Sequence, residues 1–206
     1  MVPESEIGLY VQDTLNELEF IMGPVSSPFG KLRASLGYPK PWKINYVEVG
    51  NEDHLGDAST SYSAYRFAAF YNAISAKYPH ITIISSTGDT TAQMGKSATD
   101  YHQYARPDIF ASEFGYWDNI ANREHQTIIG EYAVIQRNID PIGTPVDWSG
   151  VEKMLPWPTW VGAVAEAVFS LGAERNGYGI IGASYAPGFQ NLNSYEWAVS
   201  LLSLHS

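Results

Sequence analysis

The hydrophobic positions of this chain fall into alternating helical and extended patterns. In residues 3–22, Ile7, Val11, Leu15, Leu18 and Met22 recur at helical spacing and stop at Gly23-Pro24, which predicts an opening amphipathic helix. A looser stretch through Ser26-Ser27-Pro28 and Gly37-Tyr38-Pro39 leads to an extended run at 44–49, closed by Gly50. A second helix is predicted over about 61–78, with Phe67, Phe70, Tyr71, Ile74 and Tyr78 on one face and Pro79 as its stop. The β-branched run at 81–85 has no clean alternation, as expected of a strand covered on both faces. Residues 100–104 read as a short strand, followed by a helix from Pro107-Asp108 whose Phe110, Phe114 and Trp117 form a core stripe with Ala121. Residues 126–131 repeat the buried-strand signature. A helix follows over 161–176, with Val164, Val168 and Leu171 on one stripe, and 178–184 reads as a last strand.

Strand and helix thus alternate at the spacing of α/β barrel units, and no Pro-, Gly- or Ser-rich linker divides residues 1–206, so the expectation is one α/β piece. A closed (β/α)8 barrel needs eight strands and typically about 250 residues. With about five strands, and a helix rather than a strand at the start, the sequence reads as a barrel present only in part, its early strands lying before residue 1. No glycine-rich phosphate loop follows any strand, which argues against nucleotide binding.

Charge narrows the partners. Twelve Lys and Arg against 22 Asp and Glu give a net charge of −10, so nucleic acid and anionic membrane surfaces are disfavoured. The absence of cysteine removes disulfides, thiolate metal sites and a cysteine nucleophile. No apolar run has the length of a spanning helix, and the acidic first residues contain no secretory h-region. Charged residues make up only 17%, with polarity supplied by Tyr, Ser, Asn and Thr, a composition suited to a neutral polar ligand.

Two glutamates stand at the ends of strand-like runs: Glu52 after Val49-Gly50-Asn51, and Glu131 after Ile129-Gly130. In an α/β barrel the carboxyl ends of the strands build the active site. Retaining glycosidases use two carboxyl groups, one to protonate the leaving oxygen and one to attack the anomeric carbon. Each glutamate follows a glycine that lets the backbone approach or turn, and Asn51 beside Glu52 offers an amide for a sugar hydroxyl. His54, His102, Glu52 and Asp53 lack metal-site spacing, so a structural reading is favoured over a metal cluster and no metal is expected. Trp157 and Trp160, before the last helix, suit sugar stacking and packing equally well.

An ordered set of motifs resembles the α-L-arabinofuranosidases of glycoside hydrolase family 51, especially their fungal members. They are Tyr46-Val47-Glu48-Val49-Gly50-Asn51-Glu52-Asp53, Asp100-Tyr101-His102-Gln103-Tyr104, Gly130-Glu131-Tyr132-Ala133, Glu174-Arg175-Asn176 and Ser184-Tyr185-Ala186-Pro187. The resemblance implies a (β/α)8 TIM barrel, present here as about strands four to eight, without the early strands and the C-terminal β-sandwich. It implies a retaining, exo-acting enzyme that releases terminal arabinofuranose from arabinan or arabinoxylan, an arabinose-containing plant polysaccharide or oligosaccharide, with no cofactor. Glu52 matches the family's acid/base and Glu131 its nucleophile. Asn51 matches a substrate-binding Asn and Tyr104 the tyrosine that hydrogen-bonds the nucleophile. His102 lies in the same motif, as a substrate-site residue without an assigned role. Secretion of the full-length form is also implied. Two alternatives stand beside this reading: an inactive, sugar-binding or structural remnant, and a retaining endo-glycanase of the same paired-glutamate class. An incomplete barrel also leaves sheet edges exposed, so self-association and little activity are expected of the chain alone.

Overall fold

A computed structural model describes residues 2–88, 95, 97–121, 123–139, 141–149, 153–191, 200 and 202–204. The chain divides into two compact units, Met1–Thr99 and Asp100–Ser206, and the division falls inside a strand rather than at a linker.

In the first unit, helices α1 (Ile7–Met22) and α2 (Pro28–Ser35) precede strand β1 (Tyr46–Val49). A helical run of α3 (Ala58–Ser61), a π turn (Tyr62–Arg66) and α4 (Phe67–Lys77) then leads to β2 (Thr82–Ser85). β1 and β2 pair in parallel, Tyr46 opposite Thr82 and Val49 opposite Ser85, as a β-helix-β unit requires. Ala98 and Thr99, which open β3 (Ala98–Ala105), pair in parallel with Ile84 and Ser85. Leu18, Val49, Tyr62, Phe67, Ile74, Ile81 and Ile83 form the core between strands and helices. One fully buried cation closes the α1–α2 corner. The Arg33 guanidinium donates to the carbonyls of Phe20 (2.6 Å), Ile21 (3.2 Å), Tyr38 (2.9 Å) and Pro39 (3.2 Å), and so satisfies α1 carbonyls that have no intrahelical partner.

The second unit continues β3, then α5 (Pro107–Ser112) with a 3-10 turn (Glu113–Asp118), β4 (Thr127–Val134), α6 (Trp160–Arg175) and β5 (Ile180–Tyr185). Its strand order is β3-β4-β5, and a short parallel pair follows from β6 (Phe189–Asn191) and β7 (Leu202–Leu204). Phe110, Trp117, Ile129, Ala133, Ile135 and Phe169 anchor its core, with Phe110 and Phe169 edge to face at 5.1 Å between centroids. Among the described residues no helix is long and apolar enough to cross a membrane.

The expected alternation of five parallel strands with helices is present, and three details differ. Helix α2 stands where the pattern suggested only a looser stretch. Its start is encoded by Ser27, whose Oγ accepts from the Gly30 N–H (3.3 Å), and by Pro28 in the first turn. Phe114 is 41% exposed and so is not core: the helix tightens to a 3-10 turn at Glu113, which rotates Phe114 outward beneath the Arg175 guanidinium, 4.2 Å from its ring. On α6 the buried stripe is Gly162, Ala165, Phe169, Gly172 and Ala173, whereas Val164 and Leu171 are each 56% exposed. Small residues face inward because the helix lies close on its neighbours. A Cβ on Gly172 would come within 2.3 Å of the Phe114 carbonyl oxygen.

Candidate active site

Glu52 is set by a short loop at the end of β1. Gly50 has φ +93°, and a Cβ there would lie 1.9 Å from Asp53 Oδ2, so only glycine fits. Glu52 itself has φ +49°, a left-handed conformation that costs a non-glycine residue about 1–2 kcal/mol. That strain is held by its neighbour. Asp53, buried, accepts from the Asn51 N–H (3.1 Å) and the Ser86 hydroxyl (2.8 Å) and pairs with Arg66 at 2.6 Å. The fully buried Tyr62 donates its hydroxyl to the Val49 carbonyl (2.6 Å) and accepts from the Ser86 N–H (3.0 Å), tying the ends of β1 and β2 together. Burial pushes the Tyr62 phenol up from its ordinary value, which keeps it a neutral donor. The π turn at Tyr62–Arg66 presents both side chains to this loop, as such turns often do beside functional sites. Asn51 is exposed and Glu52 half-buried.

Glu131 is set by strands. Asp100, His102 and Tyr104 alternate along β3 and so share one face. The Tyr104 hydroxyl donates to Glu131 Oε2, and His102 Nδ1 lies 3.4 Å from the same oxygen. On the other side of the ring, His102 Nε2 meets Asp100 Oδ2 at 2.5 Å, and Asp100 Oδ1 accepts from the Gly130 N–H (2.8 Å). A Cβ on Gly130 would come within 2.3 Å of that Asp100 oxygen, so the glycine lets β4 pass close to β3. β4 runs on to Val134 rather than ending at Glu131, and its register against β5 shifts there: Ile129 faces Ala183 and Tyr132 faces Tyr185, leaving Gly130 and Glu131 opposite one residue. This is a β-bulge, a device that re-aims a side chain beside a site.

Trp148, which the periodicity of the sequence could not single out, belongs to this group. Its ring stands edge-on to Tyr104 at 6.1 Å and is 57% exposed. Its loop is stapled rather than loose. The buried Gln136 side chain exchanges two hydrogen bonds with the Asp147 backbone (2.7 and 3.0 Å), and Lys153 pairs with Asp147 while donating to Ser149 (2.7 Å). The Lys153 hydrogen bond holds the Asp147 carboxyl far below the usual carboxylate range. Trp157 and Trp160 are 71% and 86% exposed. His54 is exposed.

Residues 1–123 match the family described as alpha-L-arabinofuranosidase 1 domain. The chain is 42% identical over 198 residues to the probable alpha-L-arabinofuranosidase A of Aspergillus terreus, and 41% identical over 197 residues to alpha-L-arabinofuranosidase A of Aspergillus niger, covering 94% of this chain in each case. It spans 28% of the length of these relatives. An arabinose-bound MgGH51 α-L-arabinofuranosidase superposes over 99% of this chain and 32% of its own, with a TM-score of 0.86 and 32% identity. The Thermotoga maritima α-L-arabinofuranosidase, at TM-score 0.65 and 16% identity over 87% of this chain, shares the fold. The strands and helices are thus those of part of a (β/α)8 barrel, and the chain belongs to the α-L-arabinofuranosidases of glycoside hydrolase family 51.

Proposed function

We propose that this chain carries the catalytic carboxylates of a retaining, exo-acting glycoside hydrolase that releases terminal α-L-arabinofuranose from arabinan, arabinoxylan or their oligosaccharides. The observation that carries the reading is the setting of Glu131: a carboxylate on a bulged strand, with one oxygen taken by the Tyr104 hydroxyl and faced by the His102 ring at 3.4 Å. Those contacts fix its direction and leave the other oxygen to attack, which is what a nucleophile needs.

In this reading Glu131 attacks the anomeric carbon while Glu52 donates its proton to the leaving oxygen, so the glycosidic bond breaks as a glycosyl ester forms. Glu52, now a carboxylate, takes a proton from water. That water attacks the anomeric carbon and frees Glu131, and the sugar keeps its configuration. Asn51, exposed beside Glu52, is assigned to a sugar hydroxyl. The test is hydrolysis of an aryl α-L-arabinofuranoside against an aryl β-xyloside. Release from the first, with an activated fluoro-sugar trapped as an ester on the Glu131 peptide, is the expected result. Release only from the xyloside, or label on any other residue, overturns the reading.

A further inference from the structure

Asp100 is the least exposed member of the Glu131 group, its side chain 2% accessible, and both of its oxygens are used. Oδ1 takes the N–H of Gly130, the residue before Glu131, at 2.8 Å, and Oδ2 takes His102 Nε2 at 2.5 Å. A buried carboxylate between two such partners is an acceptor only, so the nitrogen that faces it carries a proton. Two routes therefore lead from Asp100 to the Glu131 carboxylate: through the backbone of the bulge, and through the ring whose Nδ1 lies 3.4 Å from Glu131 Oε2.

We infer that Asp100 is a positioning residue for Glu131. It fixes a proton on His102 Nε2, orients the ring so that Nδ1 faces Glu131, and anchors the bulge at Gly130. This rests on the reading of Glu131 as nucleophile. A buried carboxylate that fixes a histidine's tautomer is known to affect turnover strongly when replaced by its amide, because the amide leaves the geometry intact and moves the proton. Here Asp100→Asn keeps an acceptor for the Gly130 N–H with its carbonyl and turns its NH2 toward Nε2, so the ring must accept at Nε2 and carry its proton on Nδ1. The opposite flip would set the amide NH2 against the Gly130 N–H, donor against donor.

The experiment is long-range 1H–15N spectroscopy of the 15N-labelled chain near neutral pH, with the His102 signals identified among the five histidines by their loss in His102→Gln. A protonated Nε2 in the wild-type chain, and loss of that proton in Asp100→Asn with an unchanged urea midpoint, are expected. An unprotonated Nε2 in the wild-type chain overturns the inference without any variant. So does a ring proton that stays in place in Asp100→Asn. The kinetic arm is read separately: the proton moved onto Nδ1 faces Glu131 Oε2 and weakens that carboxylate as a nucleophile, so kcat on an aryl α-L-arabinofuranoside should fall about tenfold with KM within about twofold. A moved proton with unchanged kcat overturns the positioning of Glu131 by Asp100, whereas a trapped ester on a residue other than Glu131 overturns the reading beneath it.

Discussion

The two glutamates are placed by different means. Glu52 sits on a loop, in a left-handed conformation, and that loop is braced by Asp53, which gathers Asn51, Ser86 and Arg66, while Tyr62 ties the strand ends. Glu131 sits within a strand and takes the Tyr104 hydroxyl directly, with the His102 ring facing the same oxygen. The place of Glu52 thus depends on the loop that carries it, and that of Glu131 on side chains along the neighbouring strand. Damage around Glu52 should appear first as lost stability, and damage around Glu131 first as lost turnover.

The sharpest test replaces the carboxylates themselves. Glu131→Gln should abolish turnover without azide rescue, because an amide cannot form the glycosyl ester. Glu52→Ala should cost about 10²- to 10⁴-fold on natural substrates, far less on aryl glycosides with good leaving groups, and azide should speed release there. Equal loss on both substrate types would refute the acid/base role.

Next come the supports. Asp53→Ala strands the largely buried Arg66 and should destabilise the chain by about 3 kcal/mol in urea unfolding. Tyr104→Phe should lower kcat by about 10²-fold through misplacement of Glu131, with little change in the urea midpoint. If the stability and turnover losses were exchanged between these two variants, the contrast between loop and strand would be wrong.

The glycines refine the same comparison. Both Gly50→Ala and Gly130→Ala drive a methyl into a buried carboxylate, each an overpacking cost of about 1–3 kcal/mol. Gly50→Ala adds left-handed strain of about 1–2 kcal/mol, so it should be the more destabilising of the two. Trp148→Ala should raise KM a few-fold with kcat nearly unchanged, by loss of a stacking surface worth about 0.5–1.5 kcal/mol. A fall in kcat alone would instead make Trp148 a prop for Tyr104.

The smallest effect is in pH. Burial raises the carboxyls of Glu113 and Glu166 in the second unit, so the stability tied to them is present below the ordinary glutamate value and is lost as pH climbs through the raised one. Glu19 in the first unit is lowered by the Phe29 N–H, so its contribution is present above that value and is lost as pH falls through the lowered one. Glu166→Gln keeps an acceptor for the Val134 N–H and should therefore gain on the wild-type chain as pH rises above the ordinary glutamate range, read by urea midpoints across pH. A gain toward acid would contradict the assignment.

Much of the architecture was legible because buried parallel strands such as 81–85 and 126–131 are written as β-branched runs between helix stops. The inner face of α6 was not. A hydrophobicity pattern favours Val164 and Leu171, while the Phe114 backbone selects Gly172 and the Val134 and Thr159 side chains crowd Gly162, a demand of size rather than polarity. Helix α2 was hidden for a related reason: with a glycine buried in its first turn and exposed Leu32 on its surface, it has no apolar stripe, and only Ser27-Pro28 marks it. At the site, Gly50, Asn51, Glu52, Gly130 and Glu131 stood out at the ends of strand-like runs, although Gly130 and Glu131 lie within β4, at its bulge. Trp148 did not, because its approach to Tyr104 is made by a loop stapled through Gln136 and Asp147, and such contacts leave no periodic trace.

The Arg33 corner carries one more consequence. Its four partners are peptide carbonyls, which neither take up protons in the ordinary range nor carry a net charge that salt can screen. Where an acidic solution weakens the hold of Glu19 on the Phe29 N–H, the Arg33 clasp between α1 and α2 stays chemically unchanged. The joint between α1 and α2 therefore combines a clasp that acid and salt leave alone with a carboxylate hold, Glu19 on the Phe29 N–H, that acid removes.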